Sequence, residues 1–416
     1  MNNYFLLLFI FIMSIGCNKN DIINPNTSST HIVNIDVAKK LAVNYFNKIH
    51  KTTLVARNDF LVSSKTFTGA NGLPGAHIIN YDDGNSKRFV IIAGDNRIPP
   101  LLAYGEHEFL LDTMPYGIAD WLNQQIKFID SIRTTDLVQE DGIKEMWEND
   151  MIIPEEDNDC CPECPNYPDC LGPEVGCGAN IDCNGDGNDD DDPCGHYNTE
   201  LYGPLLDTEW GQGCVYNEYC PINTNCEWWM CDHSATGCVA TATAQVINYF
   251  EFPNTYNYSI LQTIYWPWDF NAPGADEIAR LMHDIGESLD MDYGCSSSAS
   301  TSDVNDILED DYGYTYGGDY DDYTSSEPVK QNIRWGKPVI FDGCREKLTI
   351  IFTWKYKGCH AWVCDGYKSL TNKCYGLLYY HMNWGWNGLD NGWYSFNSWT
   401  PQIGNYQYNK KCFIKY

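Results

Sequence analysis

The chain has 416 residues, 43% of them hydrophobic and 14% aromatic, which leaves room for two or three domains with real cores and argues against a disordered chain. Its formal net charge of −31 argues against nucleic acid as a partner, because such binding relies on Lys and Arg displacing counterions from phosphates, and it disfavours anionic membrane surfaces equally. No Lys or Arg lies between Lys144 and Arg280, so the field over that stretch is negative, a pattern that serves solubility or favours cationic peptides.

In chain order, Tyr4 to Gly16 is an apolar run too short for a stable membrane span, and it ends in Ser14-Ile-Gly-Cys17. The run resembles a lipoprotein signal over residues 1–16, with Cys17 as the lipidated first residue; an ordinary secretory signal is the alternative. Either reading exports the chain and permits disulfides, and a lipid on Cys17 is then its only route to a membrane. Residues 17–30, rich in Asn, Ser and Thr, read as a tether. Val37 to Phe46 has Val37, Leu41 and Tyr45 on one face, which predicts an amphipathic helix with Asp36 as its N-cap. Phe89 to Tyr104 reads as two strands around a polar turn, followed by Met114-Pro-Tyr-Gly-Ile-Ala-Asp-Trp-Leu122.

From about 140 to 199 the character changes: Cys160, Cys161, Cys164, Cys170, Cys177, Cys183 and Cys194 stand among Pro, Gly, Asn and Asp. Few apolar side chains are available, so the segment reads as an exposed, disulfide-stapled linker. Within it, Asp182, Asn184 and Asp186 of Asp182-Cys-Asn-Gly-Asp-Gly187 have the alternating spacing of a calcium loop, with Asp190 or Asp192 as further ligands. Pro193 stands where an EF-hand has its bidentate glutamate, and a solvated acidic turn explains the run equally well. Cys161 and Cys164 have the spacing of a zinc pair, but export and the crowd of cysteines favour disulfides.

Beyond residue 200 the chemistry concentrates. Trp210-Gly-Gln-Gly213 offers the Gln212 amide as a donor for an oxyanion. Cys214, Cys220, Cys226 and Cys231 follow and read as staples of a loop. Gly237-Cys-Val-Ala-Thr-Ala-Thr-Ala-Gln245 opens a small-residue helix on which Val239, Ala242, Val246 and Tyr249 or Phe250 recur at helical spacing, capped by Ser234 or Thr236. Cys238 lies in its first turn, where unpaired N–H groups and the helix dipole favour a thiolate. A second helix is expected at Ala275 to Met282. Strands are expected at Pro338 to Phe341, His360 to Asp365, Tyr375 to His381, Trp393 to Phe396 and Cys412 to Tyr416. His360 would accept the thiol proton from the edge of that sheet. Asn383, Trp384 and Trp386 of His381-Met-Asn-Trp-Gly-Trp-Asn-Gly388 are placed to orient and shield its imidazole. Removing Cys17 and Cys238 from 19 cysteines leaves 17, an odd number, so at least one more thiol is free or intermolecular. Cys359, beside His360, is a candidate.

Taken in order, Gln212, Cys238, His360 and Asn383-Trp-Gly-Trp386 resemble the streptopain family of papain-like cysteine peptidases. The likeness runs from Leu205-Leu-Asp-Thr-Glu-Trp-Gly-Gln212 through Met291-Asp-Tyr-Gly294 and Lys337-Pro-Val-Ile340 to Gly392-Trp-Tyr394. The resemblance implies an α+β fold: a two-lobed peptidase over 200–416, one lobe helical and one an antiparallel sheet, preceded by a small α+β inhibitory prodomain over 31–135 and an acidic linker over 136–199. It implies a dyad of Cys238 and His360, Gln212 and the Cys238 amide as oxyanion donors, and Trp384 orienting the histidine, with Trp386 beside it and Asn383 as second choice. No cofactor is required by that chemistry, calcium in the linker apart, and the partners implied are peptide or protein substrates and the chain's own prodomain. Activation cleavage is expected in or beside the linker. The rival readings are a catalytically silent surface-binding or adhesion protein on the same fold, and a secreted peptidase inhibitor acting through the N-terminal domain.

Overall fold

The computed structural model describes residues 31–49, 60–111, 114, 116–148, 198–347, 355–372, 376–396, 399–400, 404–405 and 413–415. Cys17, the linker cysteines and the Asp182, Asn184, Asp186 loop lie outside the described residues.

The chain opens with helix α1 (Ile35–Ile49), then strands β1 (Leu61–Thr68), β2 (Pro74–Asp82), β3 (Lys87–Ala93) and β4 (Leu101–Gly105). The predicted helix is present, but its cap differs: the Asn34 side chain accepts from the backbone N–H groups of Asp36 and Val37, 3.0 Å each. Asp36 is thus already in the first turn, where its charge faces the positive end of the helix. Helix α2 (Tyr116–Ile132) follows. Ile118, Trp121, Leu122, Ile126 and Ile129 recur at helical spacing and are buried in one core with β2, β3 and the later strands. Burial of this kind is worth about 1.5–3 kcal/mol for each fully buried side chain.

The start of the expected linker is not loose. Helix α3 (Asp141–Glu148) buries Ile143 and Met146 against Leu370, Leu377 and Tyr379. Two apolar residues at i and i+3 suffice to pin a short amphipathic helix in a segment otherwise charged. Strand β5 (Asn198–Tyr202) then pairs with a later strand of the sheet.

The helical lobe contains α4 (Cys238–Phe250), α5 (Ala275–Ser288) and α6 (Val304–Asp310). After strand β6 (Asp319–Asp321) and helix α7 (Glu327–Arg334) come β7 (Val339–Lys347), β8 (Lys355–Thr371), β9 (Gly376–Asn383), β10 (Gly392–Ser395), β11 (Trp399–Thr400), β12 (Gly404–Asn405) and β13 (Phe413–Lys415). The five strands expected in this lobe are all present.

The two sheets are not separate. Among the described residues one antiparallel path runs β1-β2-β3-β4-β10-β9-β8-β7-β13-β6. The junction is β4 against β10, with Trp393 opposite Tyr104 and Tyr394 opposite Ala103. An exposed edge strand of the C-terminal lobe is therefore covered by the N-terminal unit, which removes unpaired backbone groups from both. One apolar core holds α2 and the C-terminal sheet; a second lies within the helical lobe and reaches β8 through Ala361 and Val363.

Candidate active site

Cys238 is the first residue of α4. The residue before it, Gly237, has φ 89°, and a methyl group there would lie 2.8 Å from the Met291 sulfur, so both backbone conformation and space demand glycine. No side chain caps this helix. Thr236, expected as a cap, instead bonds through its hydroxyl to the Thr241 hydroxyl at 2.9 Å, and the Ser234 carbonyl accepts from the Asn217 amide at 3.0 Å. The helix sits on β8, and the backbone N–H groups of Ala361, Val239 and Cys238 itself face the sulfur. The nucleophile candidate is thus seated against the residue that follows His360.

His360 is buried on β8 between aromatic rings, with Trp362, Trp384 and Trp386 centred 6.0, 6.5 and 5.6 Å from its ring. Its Nε2 lies 2.8 Å from the main-chain oxygen of Trp384. A carbonyl only accepts, so Nε2 carries the proton and donates, and Nδ1 is left unprotonated. The Trp386 indole nitrogen, 3.2 Å from the same Nε2, then packs on the ring without an acceptor there. The Trp384 backbone oxygen therefore fixes the tautomer. Asn383 does not reach the imidazole: its amide nitrogen donates to Thr208 O at 2.6 Å and to Gln245 Oε1 at 3.0 Å.

Gln212, 8% exposed, has a buried Nε2 with no hydrogen-bond partner. Its carbonyl accepts from Thr236 N at 3.1 Å, two residues ahead of Cys238. An unpaired buried amide costs about 1–3 kcal/mol, and a donor held open at that cost is suited to a group that arrives with a substrate.

Two residues of α4 that the sequence reading passed over link the parts. Gln245 Oε1 accepts from Thr208 Oγ1 at 3.1 Å, Trp210 N at 3.3 Å and Asn383 Nδ2 at 3.0 Å. One turn earlier, Thr241 Oγ1 donates toward Gly237 O at 3.1 Å and lies 3.4 Å from Gly211 O. Both are fully buried. The helix bearing Cys238 is thereby tied to the segment leading to Gln212 and to the turn carrying the Trp384 oxygen. A polar pair at i and i+4 on a helix of small residues was the available signal.

The N-terminal unit reaches the same turns. Leu110 N donates to Asp390 Oδ1 at 2.9 Å, His107 Nε2 lies 3.1 Å from Glu209 Oε1, and Trp121 Nε1 donates to Ser395 O at 3.0 Å. A methyl group on Gly117 of α2 would come within 2.8 Å of the Trp384 ring, so the helix backbone lies directly on the wall of the histidine pocket.

Burial reverses one expectation. It pushes the Cys238 thiol up despite the facing N–H groups, and pushes His360 down to about 4. Both shifts favour the uncharged forms, where the helix end alone suggested a thiolate.

The other cysteines are also resolved in part. Cys214–Cys231 and Cys226–Cys295 are disulfides, while Cys220, expected as a staple, is free and buried. Cys359 is disulfide-bonded, so it is not the spare thiol; the strand register sets it opposite Cys344. Cys238 and Cys364 are free as well. Among the described residues no group of three or more His, Cys, Asp or Glu side chains is arranged to hold a metal ion.

A half-buried cysteine at a helix start, a buried histidine on the facing sheet and an N-terminal unit packed on the Trp384 wall beside that histidine belong to an α+β, papain-like architecture with a docked N-terminal domain. Residues 210–394 match the family model described as Peptidase C10 family, and residues 30–127 match that of the Spi protease inhibitor. Over that C-terminal span the chain is similar to the Peptidase C10 family. Streptopain of Streptococcus pyogenes serotype M1 is 29% identical over 240 residues, covering 47% of this chain and 56% of streptopain. The thiol protease/hemagglutinin PrtT of Porphyromonas gingivalis is 20% identical over 400 residues, covering 88% of this chain and 38% of PrtT. The chain thus spans about half the length of the streptopain it matches. A fragment of prointerpain A from Prevotella intermedia shares the fold, with TM-score 0.50 and 21% identity over 85% of this chain and 97% of that one.

Proposed function

We propose that the chain is the precursor of an exported cysteine endopeptidase. The observation that carries the reading is the buried, unpartnered Gln212 Nε2 on the segment tied to the start of the Cys238 helix. His360 Nδ1 takes the thiol proton, and Cys238 Sγ attacks the scissile carbonyl carbon. The oxyanion is held by Gln212 Nε2–H and the Cys238 N–H. His360 returns the proton to the leaving amine as the C–N bond breaks, leaving an acyl thioester. Water then attacks with His360 as base, the C–S bond breaks, and the thiol is restored. Each step runs on groups of the chain.

The N-terminal unit, in this reading, is an inhibitor in cis. Its contacts on Trp384, Asp390 and Glu209 brace the walls of the site. Export is supported by the apolar run before Cys17 and by two disulfides, which persist in oxidising compartments. Lipidation at Cys17 is the finer form of that proposal, and incorporation of an alkynyl fatty acid that survives Cys17→Ala refutes it.

A thiol-directed peptidyl epoxide should label the activated protein, after removal of residues 1–199, and labelling should vanish in Cys238→Ala. No labelling under reducing conditions would sink the peptidase reading in favour of a silent binding protein.

A further inference from the structure

Of the chain's 14 tryptophans, Trp121, Trp210, Trp362 and Trp384 are among the most deeply buried side chains, yet Trp228 is 70% and Trp268 72% exposed. Those two rings lie parallel, 7° between planes and 6.2 Å between centroids, and Trp266, two residues before Trp268 in the chain, is also exposed. Indoles left in water in a group mark a binding surface more often than a single exposed one does.

The shelf is fixed in place. Trp228 opens a one-turn helix ending at Met230, and Cys231 after it is bonded to Cys214. Cys226 on the same loop is bonded to Cys295. Cys214 N donates to Trp229 O at 2.9 Å, and the Trp229 ring fills the space over Gly213, where a methyl group would lie 2.7 Å from it. Gly213 follows Gln212 directly. The exposed rings therefore stand one residue beyond the wall of the oxyanion segment.

The segments that carry them hold charge of one sign. Glu218, Glu227 and Asp232 are exposed on the disulfide-tied loop, and no Lys or Arg occurs from residue 145 to 279. Aromatic faces rimmed by carboxylates recognise ammonium and guanidinium groups. We infer that the Trp228–Trp268 shelf is an exosite for Lys- or Arg-bearing segments of polypeptide substrates lying outside the residues in the cleft. The inference rests on the peptidase reading for its purpose, while the binding it requires is independent of catalysis.

The test uses the full chain carrying Cys238→Ala and two peptides of equal length, one with a Lys/Arg-rich extension and one with Gln in those places. Calorimetry should show the cationic peptide binding about 10-fold tighter, the size expected of two exposed cation–π contacts. The preference should shrink in ~0.5 M salt, which screens the acidic rim, and disappear in W228A/W268A. In the activated enzyme the ratio of kcat/KM for cationic over neutral peptide should fall from about 10 toward 1 in the same variant. Equal binding of both peptides to the Cys238→Ala chain overturns the exosite whatever the enzyme does. So does a switch from dimer to monomer in W228A/W268A, which would assign the shelf to a second copy. Selective binding without turnover of either peptide would support the exosite and refute the peptidase reading instead.

Discussion

Replacing Gln212 by Leu separates the chemical from the structural role of that side chain, because the two carry opposite signs. Leu is close to Gln in size, so it removes the amide without opening the void that Ala would leave. If the Nε2–H meets the substrate oxygen only as that oxygen becomes charged, its loss should lower kcat by about 10²–10³, or about 2.7–4 kcal/mol of transition-state stabilisation. KM should stay within about 2-fold. In the resting protein the same nitrogen is buried without a partner. Removing it relieves a desolvation penalty of about 1–3 kcal/mol, so the variant should be more stable than the native chain. Kinetics on the activated enzyme read the first effect. Thermal unfolding of the full chain in the Cys238→Ala background, free of self-cleavage, reads the second as a Tm raised by at least about 2 °C. A variant that melts lower would show that the amide holds the fold together, and one that keeps its kcat would show that it is not the oxyanion donor.

Three further outcomes follow from the geometry. Gln245→Leu strips the acceptor from Thr208, Trp210 and Asn383; at about 1–3 kcal/mol for each buried donor left unpaired, urea unfolding should show a loss of about 3 kcal/mol or more, and Gln245→Glu, which keeps the acceptor, should recover part of both stability and kcat. Gly117→Leu forces a side chain onto Trp384, and an overpacking cost of about 1–3 kcal/mol should speed processing of the full chain about 10-fold in a gel time course; an unchanged rate would place the inhibitory contact elsewhere. Docking of the N-terminal unit should weaken as pH rises. The Glu209 hydrogen bond raises His107, so its contribution is full below the ordinary histidine range and is lost as pH rises through the raised value. Burial lifts Asp390 to about 7, so the docked form favours the protonated acid and loses that advantage from pH ~4 to about 7. Protease accessibility of the full Cys238→Ala chain should climb from pH 5 to 8, and His107→Gln should flatten the upper part of that rise.

What the sequence made legible was whatever repeats locally. Val239, Ala242 and Val246 announce α4 by spacing, and the apolar alternation around His360 announces β8. The order of Gln212, Cys238, His360 and Trp384 brings the site into view before any coordinate. Long-range pairing carries no such signature, so the fusion of two expected domains through β4 and β10 was invisible. Cys359 shows the same limit: spacing along the chain does not tell that it is disulfide-bonded, nor that it stands opposite Cys344, which appears only once β7 and β8 are aligned. Ile143 and Met146 were hidden by the charges around them, and Asn34 by the more obvious acid two residues on.

The reactivity of Cys238 lies furthest from the local pattern. A helix start lowers a thiol through a few N–H dipoles, an effect of the order of 1 kcal/mol that any sequence reader can assign. Desolvation acts against it, and its size depends on every element packed around the sulfur and the imidazole, including a helix more than a hundred residues upstream. Here desolvation wins for both partners: the thiol is raised and His360 lies at about 4. A raised thiol and a lowered imidazole together disfavour the thiolate–imidazolium pair. Gly117 and its helix, packed on the Trp384 ring beside His360, form part of the wall that keeps water from the imidazole. It follows that iodoacetamide should alkylate Cys238 in the intact chain far more slowly at pH 7 than after the N-terminal unit is removed, and equal rates would mean that burial does not control the thiol.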